Sequence, residues 1–260
     1  MGEMVYILGC KRSGTALLQN LFRCAKDTRI INGEVPPPIL FRVRALLNDP
    51  SLTVVAKRCG AHGLWGASLG GLDLALINQV APAARNVSGD LIFEQRDDIL
   101  PWIDWLENWR DIWHIHIKRD PRDVLTSRAA QESRAYKNYW AMWKNAEAIY
   151  HRLGQANPDR TLQVEYEKLV QDPNTVMEWV FETIGLEQAI EDVETWHDSL
   201  DLVEQQHSTL RRVEPKINTK SMGRWKKEKK RVKELLKDTP DLVDQVVAAG
   251  YDEKNWEKKL

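Results

Sequence analysis

The stretch YILGCKRSGTALLQNLFR, Tyr6 to Arg23, sets two cations, Lys11 and Arg12, directly before Ser13, Gly14 and Thr15. An apolar run precedes this step and an amphipathic one follows it. Two charges, two hydroxyls and a glycine within five residues are donors for an anion, because a tight turn at a strand–helix junction also aims backbone N–H groups outward. A phosphate compound is the ligand chemistry this implies. A triphosphate loop of the Walker type needs lysine straight after its second glycine. Counted from Gly9, that glycine is Gly14, and Thr15 follows it. The cations sit before the turn instead.

Three later segments carry chemistry of the same kind. IKRDPRDVLTS offers Arg119 after an apolar run and Ser127 eight positions on. An arginine gives phosphate a charge-assisted fork, and Ser127 is expected in the first turns of a helix beginning near Arg122. VEYEKLVQDP offers Tyr166, and KSMGRWKK offers Lys220, Ser221, Gly223, Arg224, Trp225 and Lys226. Taken singly, these read as a solvated turn, a buried tyrosine at a strand end and a basic surface loop.

Taken together and in this order, the four segments resemble the cofactor motifs of sulfotransferases that use 3′-phosphoadenosine 5′-phosphosulfate (PAPS). KRSGTALL is similar to their 5′-phosphosulfate loop. The resemblance implies a P-loop NTPase-like sulfotransferase fold and transfer of a sulfuryl group to a hydroxyl or amine of a small-molecule acceptor, a specialised metabolite being the best expectation. It also implies binding of PAPS and its desulfated product PAP through Lys11, Arg12, Ser13, Gly14, Thr15, Ala16, Arg119, Ser127, Tyr166, Lys220, Ser221, Gly223, Arg224 and Trp225. Arg12 takes the place of the catalytic cation, with Lys11 in support, and no metal is implied. The family's Lys-then-His pattern, counted back from Arg119, falls on Gln95 and Asp97 of FEQRDD, which disfavours a histidine base there. Another branch places a glutamate about twenty residues past the phosphate loop, which makes Glu34 the leading base, followed by His62 and Asp97. Two rival classes are a P-loop small-molecule kinase, disfavoured by Thr15, and a nucleotide-binding protein without catalysis.

The elements that must position these residues are legible as alternation. Apolar runs at Val5–Leu8, in TRIINGE ending near Asn32–Glu34, at Leu91–Glu94, at Trp113–Ile117 and before Tyr166 read as strands. Ser51–Gly60 reads as strand or buried helix. Helical spacing covers Ala16–Ala25, the Trp102–Ile112 segment, a long stretch with Tyr136, Tyr139, Trp140, Trp143 and Tyr150 near one face, and a helix from Pro173. Such alternation predicts an α/β fold, a central parallel sheet flanked by helices. One domain over residues 1–260 is expected, with a helical final third and a closing loop at about 214–228. Thirty-seven Lys and Arg against 38 Asp and Glu leave a net charge of -1, so bulk charge gives no case for nucleic acid. Three cysteines without ligand spacing and the lack of a long apolar run predict a cytoplasmic protein that meets no membrane. The sequence sets no oligomeric state. Eleven tryptophans fill a core or wall a ligand pocket.

Overall fold

The computed structural model describes residues 2–31, 49, 51–59, 65–67, 91–93, 106–108, 110–127, 130, 136–199, 216–252 and 254–259. Seven strands run in chain order as β1 (Met4–Gly9), β2 (Thr28–Ile30), β3 (Thr53–Cys59), β4 (Trp65–Ala67), β5 (Leu91–Phe93), β6 (Ile112–Lys118) and β7 (Thr161–Glu165). Five form one sheet in the order β2-β3-β1-β6-β7, and every pairing in it is parallel. The expected parallel α/β sheet is thus present. Ser51–Gly60, left between strand and helix by its pattern, contains the strand Thr53–Cys59, which pairs β1 from Met4↔Val54 to Gly9↔Cys59. Leu91–Phe93 is a strand as expected, but it lies outside this sheet and pairs antiparallel with β4.

All six residues of β1 are buried, as both of its edges are paired and both of its faces covered. Strand order reverses at β1, whose neighbours are β3 on one side and β6 on the other. At such a point the connections leave to opposite faces, and a crevice opens at the carboxyl ends of the strands. Gly9 and Lys118 end β1 and β6 at that crevice. The Lys11–Thr15 turn and the Arg119–Ser127 segment therefore emerge side by side.

Seven α-helices accompany the strands among the described residues: α1 (Thr15–Leu21), α2 (Pro121–Leu125), α3 (Tyr136–Ala156), α4 (Tyr166–Gln171), α5 (Pro173–Ile184), α6 (Lys229–Asp238) and α7 (Leu242–Ala248). On one face, Val5, Ile7, Ile115, Ile117 and Val164 pack with Leu18, Leu21 and Phe22 and with Met177, Val180 and Phe181 of α5. A second cluster joins Cys10, Val124 and Leu125 to Trp140, Met142 and Trp143 of α3 and to Trp225, Val232, Leu235, Val246 and Trp256. Six tryptophans (Trp113, Trp140, Trp143, Trp196, Trp225 and Trp256) are buried, so these fill the core. A short helix, α4, sits between β7 and the helix at Pro173, where the sequence suggested only a turn. Asp172 separates the two helices and caps the second by accepting from Thr175 N at 3.2 Å. Among the described residues no helix is long and apolar enough to cross a membrane.

Candidate active site

The turn after β1 is built from unusual backbone. Arg12 has φ 73 and Gly14 φ 96, both left-handed. Glycine adopts this conformation freely, whereas a side-chain-bearing residue is there at a cost and marks a constrained site. The Arg12 carbonyl accepts from Arg119 Nη1 at 2.7 Å, a charged donor that holds the peptide in its strained orientation. Ser13 N donates to Cys10 O at 3.1 Å and closes the turn. Ser13 and Thr15 are buried, Lys11 and Ala16 are half-buried, and the Arg12 side chain is exposed. Helix α1 spans only seven residues. The dipole contribution is correspondingly small, and the turn's N–H groups and side chains are the main donors it could offer an anion.

Arg119 follows β6 and is 7% exposed. Besides the Arg12 carbonyl, it donates from Nη2 to Ser221 O at 2.7 Å. Its guanidinium carbon lies 4.1 Å from the centre of the Tyr166 ring, and its own carbonyl accepts from Trp143 Nε1 at 2.9 Å. Tyr166 opens α4, where its hydroxyl meets Ser221 Oγ at 2.6 Å. Arg119 and Tyr166 thus tie the phosphate turn to the 220–226 loop. Ser127 is placed differently from the sequence expectation. Helix α2 ends at Leu125, and Thr126 closes it by donating from both N and Oγ1 to Arg122 O. Ser127 follows that end and is buried.

Three buried polar atoms here have no hydrogen-bond partner among the described residues: Ser13 Oγ, Ser127 Oγ and Arg119 Nε. Buried polar groups are nearly always paired, and each that is not requires an explanation. All three belong to residues that the sequence singled out as anion donors. Gly14 completes the cradle, since a Cβ there would meet Tyr166 Cδ2 at 2.4 Å and Ile117 Cδ1 at 3.2 Å. The residues present fit a ligand with separate phosphate-like groups, one at the 12–15 turn and one beside Arg119 and Ser127.

In the closing loop, Lys220 and Lys226 are exposed, Ser221, Gly223 and Arg224 are half-buried, and Trp225 packs into the second core cluster. What the sequence did not reveal is how this loop is held. Asp123 accepts from Gly223 N at 2.7 Å and from Trp225 N at 3.0 Å. Arg122, 2% exposed, pairs with Asp120 at 2.8 Å and Asp252 at 2.9 Å. It stacks on Trp225 at 3.8 Å and Trp256 at 4.6 Å. Glu167 steadies the same unit by accepting from Asp120 N at 3.1 Å and from the Tyr251 hydroxyl at 3.4 Å. Apart from Asp120 and Arg122, which are 2 residues apart, the hydrogen-bonded partners lie 47 to 130 residues apart in the chain.

The other face of β6 carries His114 and His116 beneath α3. Burial lowers His114 to about 4 and, with the charges of Lys118 and His151, His116 to about 3. Gln163 Nε2 lies 3.1 Å from His116 Nδ1. The amide donates, so the imidazole proton sits on Nε2, which faces Glu147 Oε1 at 3.4 Å. Burial raises the Glu147 carboxyl to about 7, while Lys118 pulls the other way. Glu34, His62 and Asp97 lie outside the described residues, as do Gln95 and the Trp102–Trp105 segment. Within the five-stranded sheet, the strand before β6 in the chain is β3, not Leu91–Phe93. β3 carries a buried lysine, Lys57, which the count back from Arg119 passed over.

The model of the sulfotransferase family matches residues 106–192. This stretch is similar to the sulfotransferase family. It contains Arg119, Ser127 and Tyr166 and is about a third of the chain, so the resemblance read from the motifs is borne out there. No curated protein matches. Among solved structures, the chain is similar to the sulfotransferase domain from the Synechococcus PCC 7002 olefin synthase, at 17% identity and TM-score 0.49 over 85% of this chain and 88% of that one. It is similar to the sulfotransferase domain from the curacin biosynthetic pathway at 12% identity and TM-score 0.48, over 87% and 91%. For mouse sulfotransferase SULT7A1 complexed with PAP the values are 11% and 0.49, over 94% and 84%.

Proposed function

We propose that the protein is a PAPS-dependent sulfotransferase acting on a hydroxyl or amine of a small-molecule acceptor in the cytoplasm. The observation that carries this is that Ser13 Oγ in the turn after β1, and Arg119 Nε and Ser127 Oγ in the segment after the neighbouring β6, are buried donors without a partner among the described residues. The sulfotransferase-family match over residues 106–192 supports it.

When bound, PAPS supplies the sulfuryl group and a nucleotide leaving group. The backbone and hydroxyls of Ser13, Gly14, Thr15 and Ala16 hold the 5′ end. Arg119 and Ser127 hold the 3′-phosphate. Arg119 has two N–H groups engaged with main-chain carbonyls, which leaves the Nε–H and one hydrogen on each terminal nitrogen for the ligand. Arg12, supported by Lys11, stabilises charge at the sulfonate end. Guanidinium does not give up a proton at neutral pH, so its contribution is electrostatic. Tyr166 and Trp225 border the nucleotide, while Lys220, Ser221, Gly223 and Arg224 close over it. Glu34 is assigned as the base that takes the acceptor's proton, with His62 as the alternative. A specialised metabolite is the acceptor class that fits best, and residues 1–260 are assigned to one domain.

Transfer from labelled PAPS to a panel of phenols, alcohols and amines tests the reading. Product formation that falls at least a hundredfold in Arg12→Ala is expected. PAP that fails to bind in calorimetry, or Mg²⁺-dependent ATP hydrolysis, would overturn it. Glu34→Gln is expected to remove turnover and leave PAP affinity intact; turnover within a few-fold of wild type would reassign the base.

A further inference from the structure

We infer that Asp123 is the positioning residue for the 220–226 loop, latching it beside the phosphate turn through the main-chain N–H groups of Gly223 and Trp225. The inference rests on the reading of this crevice as a nucleotide site and adds what governs entry and exit. Asp123 is 1% exposed and makes both bonds with good geometry, at 2.7 and 3.0 Å. A carboxylate that accepts two backbone N–H bonds in a buried setting is a strong local anchor. Its partners lie 100 and 102 residues away. The anchor therefore serves the loop and not the helix that carries it.

The rest of the unit is matched to the same loop in polarity. Arg119 binds a carbonyl of the loop, at Ser221, where Asp123 binds two N–H groups, at Gly223 and Trp225. One short segment after β6 thus grips alternate residues of the loop with a cation at one end and an anion at the other. Gly223 turns the chain with φ 63 between these holds. Arg122 seals the far end by lying flat on the Trp225 ring, with its charge balanced by Asp120 and Asp252. All of these bonds are made by the protein chain itself. The loop is consequently closed by Asp123 whether or not nucleotide is bound, and breaking these two bonds is the step that lets nucleotide out.

Two measurements test the latch. In ligand-free wild-type protein, the Gly223 and Trp225 amides are expected to exchange with solvent at least about a hundredfold slower than an unstructured chain. Exchange at unstructured rates would overturn the inference without any variant. In Asp123→Asn, one acceptor is replaced by a donor facing an N–H. Faster exchange confined to residues 219–226, faster tryptic cleavage after Lys220 and Arg224, and a PAP dissociation rate raised about tenfold are expected. Wild-type dissociation and cleavage rates, or faster exchange spread equally over β1 and β6, would assign Asp123 a merely structural role and sink the latch. Wild-type protein that binds no PAP would overturn the sulfotransferase reading instead, and the ligand-free exchange result then decides the latch alone.

Discussion

Tyr166 occupies the space that a side chain on Gly14 would need: a Cβ there would lie 2.4 Å from Tyr166 Cδ2 and 2.8 Å from Cε2. The ring is fixed in turn by Arg119 above it and by the hydroxyl contact with Ser221. Gly14 is therefore required twice, once for its left-handed φ of 96 and once for this contact. Gly14→Ala is expected to cost about 1–2 kcal/mol for the backbone alone, with the clash in addition, and to abolish PAP binding. Tyr166→Ala in the same chain should recover the clash but not the backbone cost. Unfolding curves that show no recovery in the double variant would mean that ring and turn are not in contact.

Ser127 gives the opposite signature. Its hydroxyl is buried and has no partner among the described residues, so Ser127→Ala removes a desolvated polar atom and leaves the fold as stable as wild type or slightly more so. If the hydroxyl serves a phosphate, the same change weakens PAP binding by about 1.5–3 kcal/mol, the range for a hydrogen bond to a charged group. Stability held and affinity lost is the expected pair, read by thermal unfolding and calorimetry. Unchanged affinity would remove Ser127 from the site.

How much of this was readable in advance follows from range along the chain. The Lys11–Thr15 turn is a local pattern of donors, and the Arg119–Ser127 pair was legible only through its resemblance to a sulfotransferase motif. β1 and β6 were legible because buried parallel strands are largely continuous apolar runs. α4 was not, since six residues between a strand and a proline carry too little periodicity. The sheet placement of Leu91–Phe93 was not legible either, because partner choice depends on the rest of the sheet. Asp123, Arg122 and Glu167 were missed for the same reason. Their roles are set by loop 220–226 and by Tyr251 and Asp252, which local reading never brings beside them.

Arg119 separates charge from geometry. It spans two carbonyls, Arg12 O and Ser221 O, both at 2.7 Å, while lying on an aromatic face. A planar fork with five N–H donors can do all of this, and a single ammonium cannot. Arg119→Lys is thus expected to behave almost like Arg119→Ala. PAP affinity should fall roughly ten- to hundredfold in both, and both should lower the melting temperature, because the tie between turn and loop is lost. A lysine variant with near-wild-type affinity would show that only the positive charge matters.

Glu147 offers a test on the face of the sheet away from the crevice. Its carboxyl is raised from 4.5 to about 7 by burial, so the folded protein holds this proton more tightly than the unfolded chain. The sign follows directly: the group favours the fold fully at pH below 4.5, and that contribution is lost as pH rises towards 7. Above 7 a buried carboxylate remains, facing the Nε2 of a neutral His116 and opposed only in part by Lys118. An amide in its place carries no charge. Glu147→Gln is expected to stabilise the protein by about 2 kcal/mol at pH 8 and by well under half of that at pH 5. Urea unfolding at the two pH values measures the difference, and an effect of equal size at both would show that Glu147 ionises in the folded chain as it does in water.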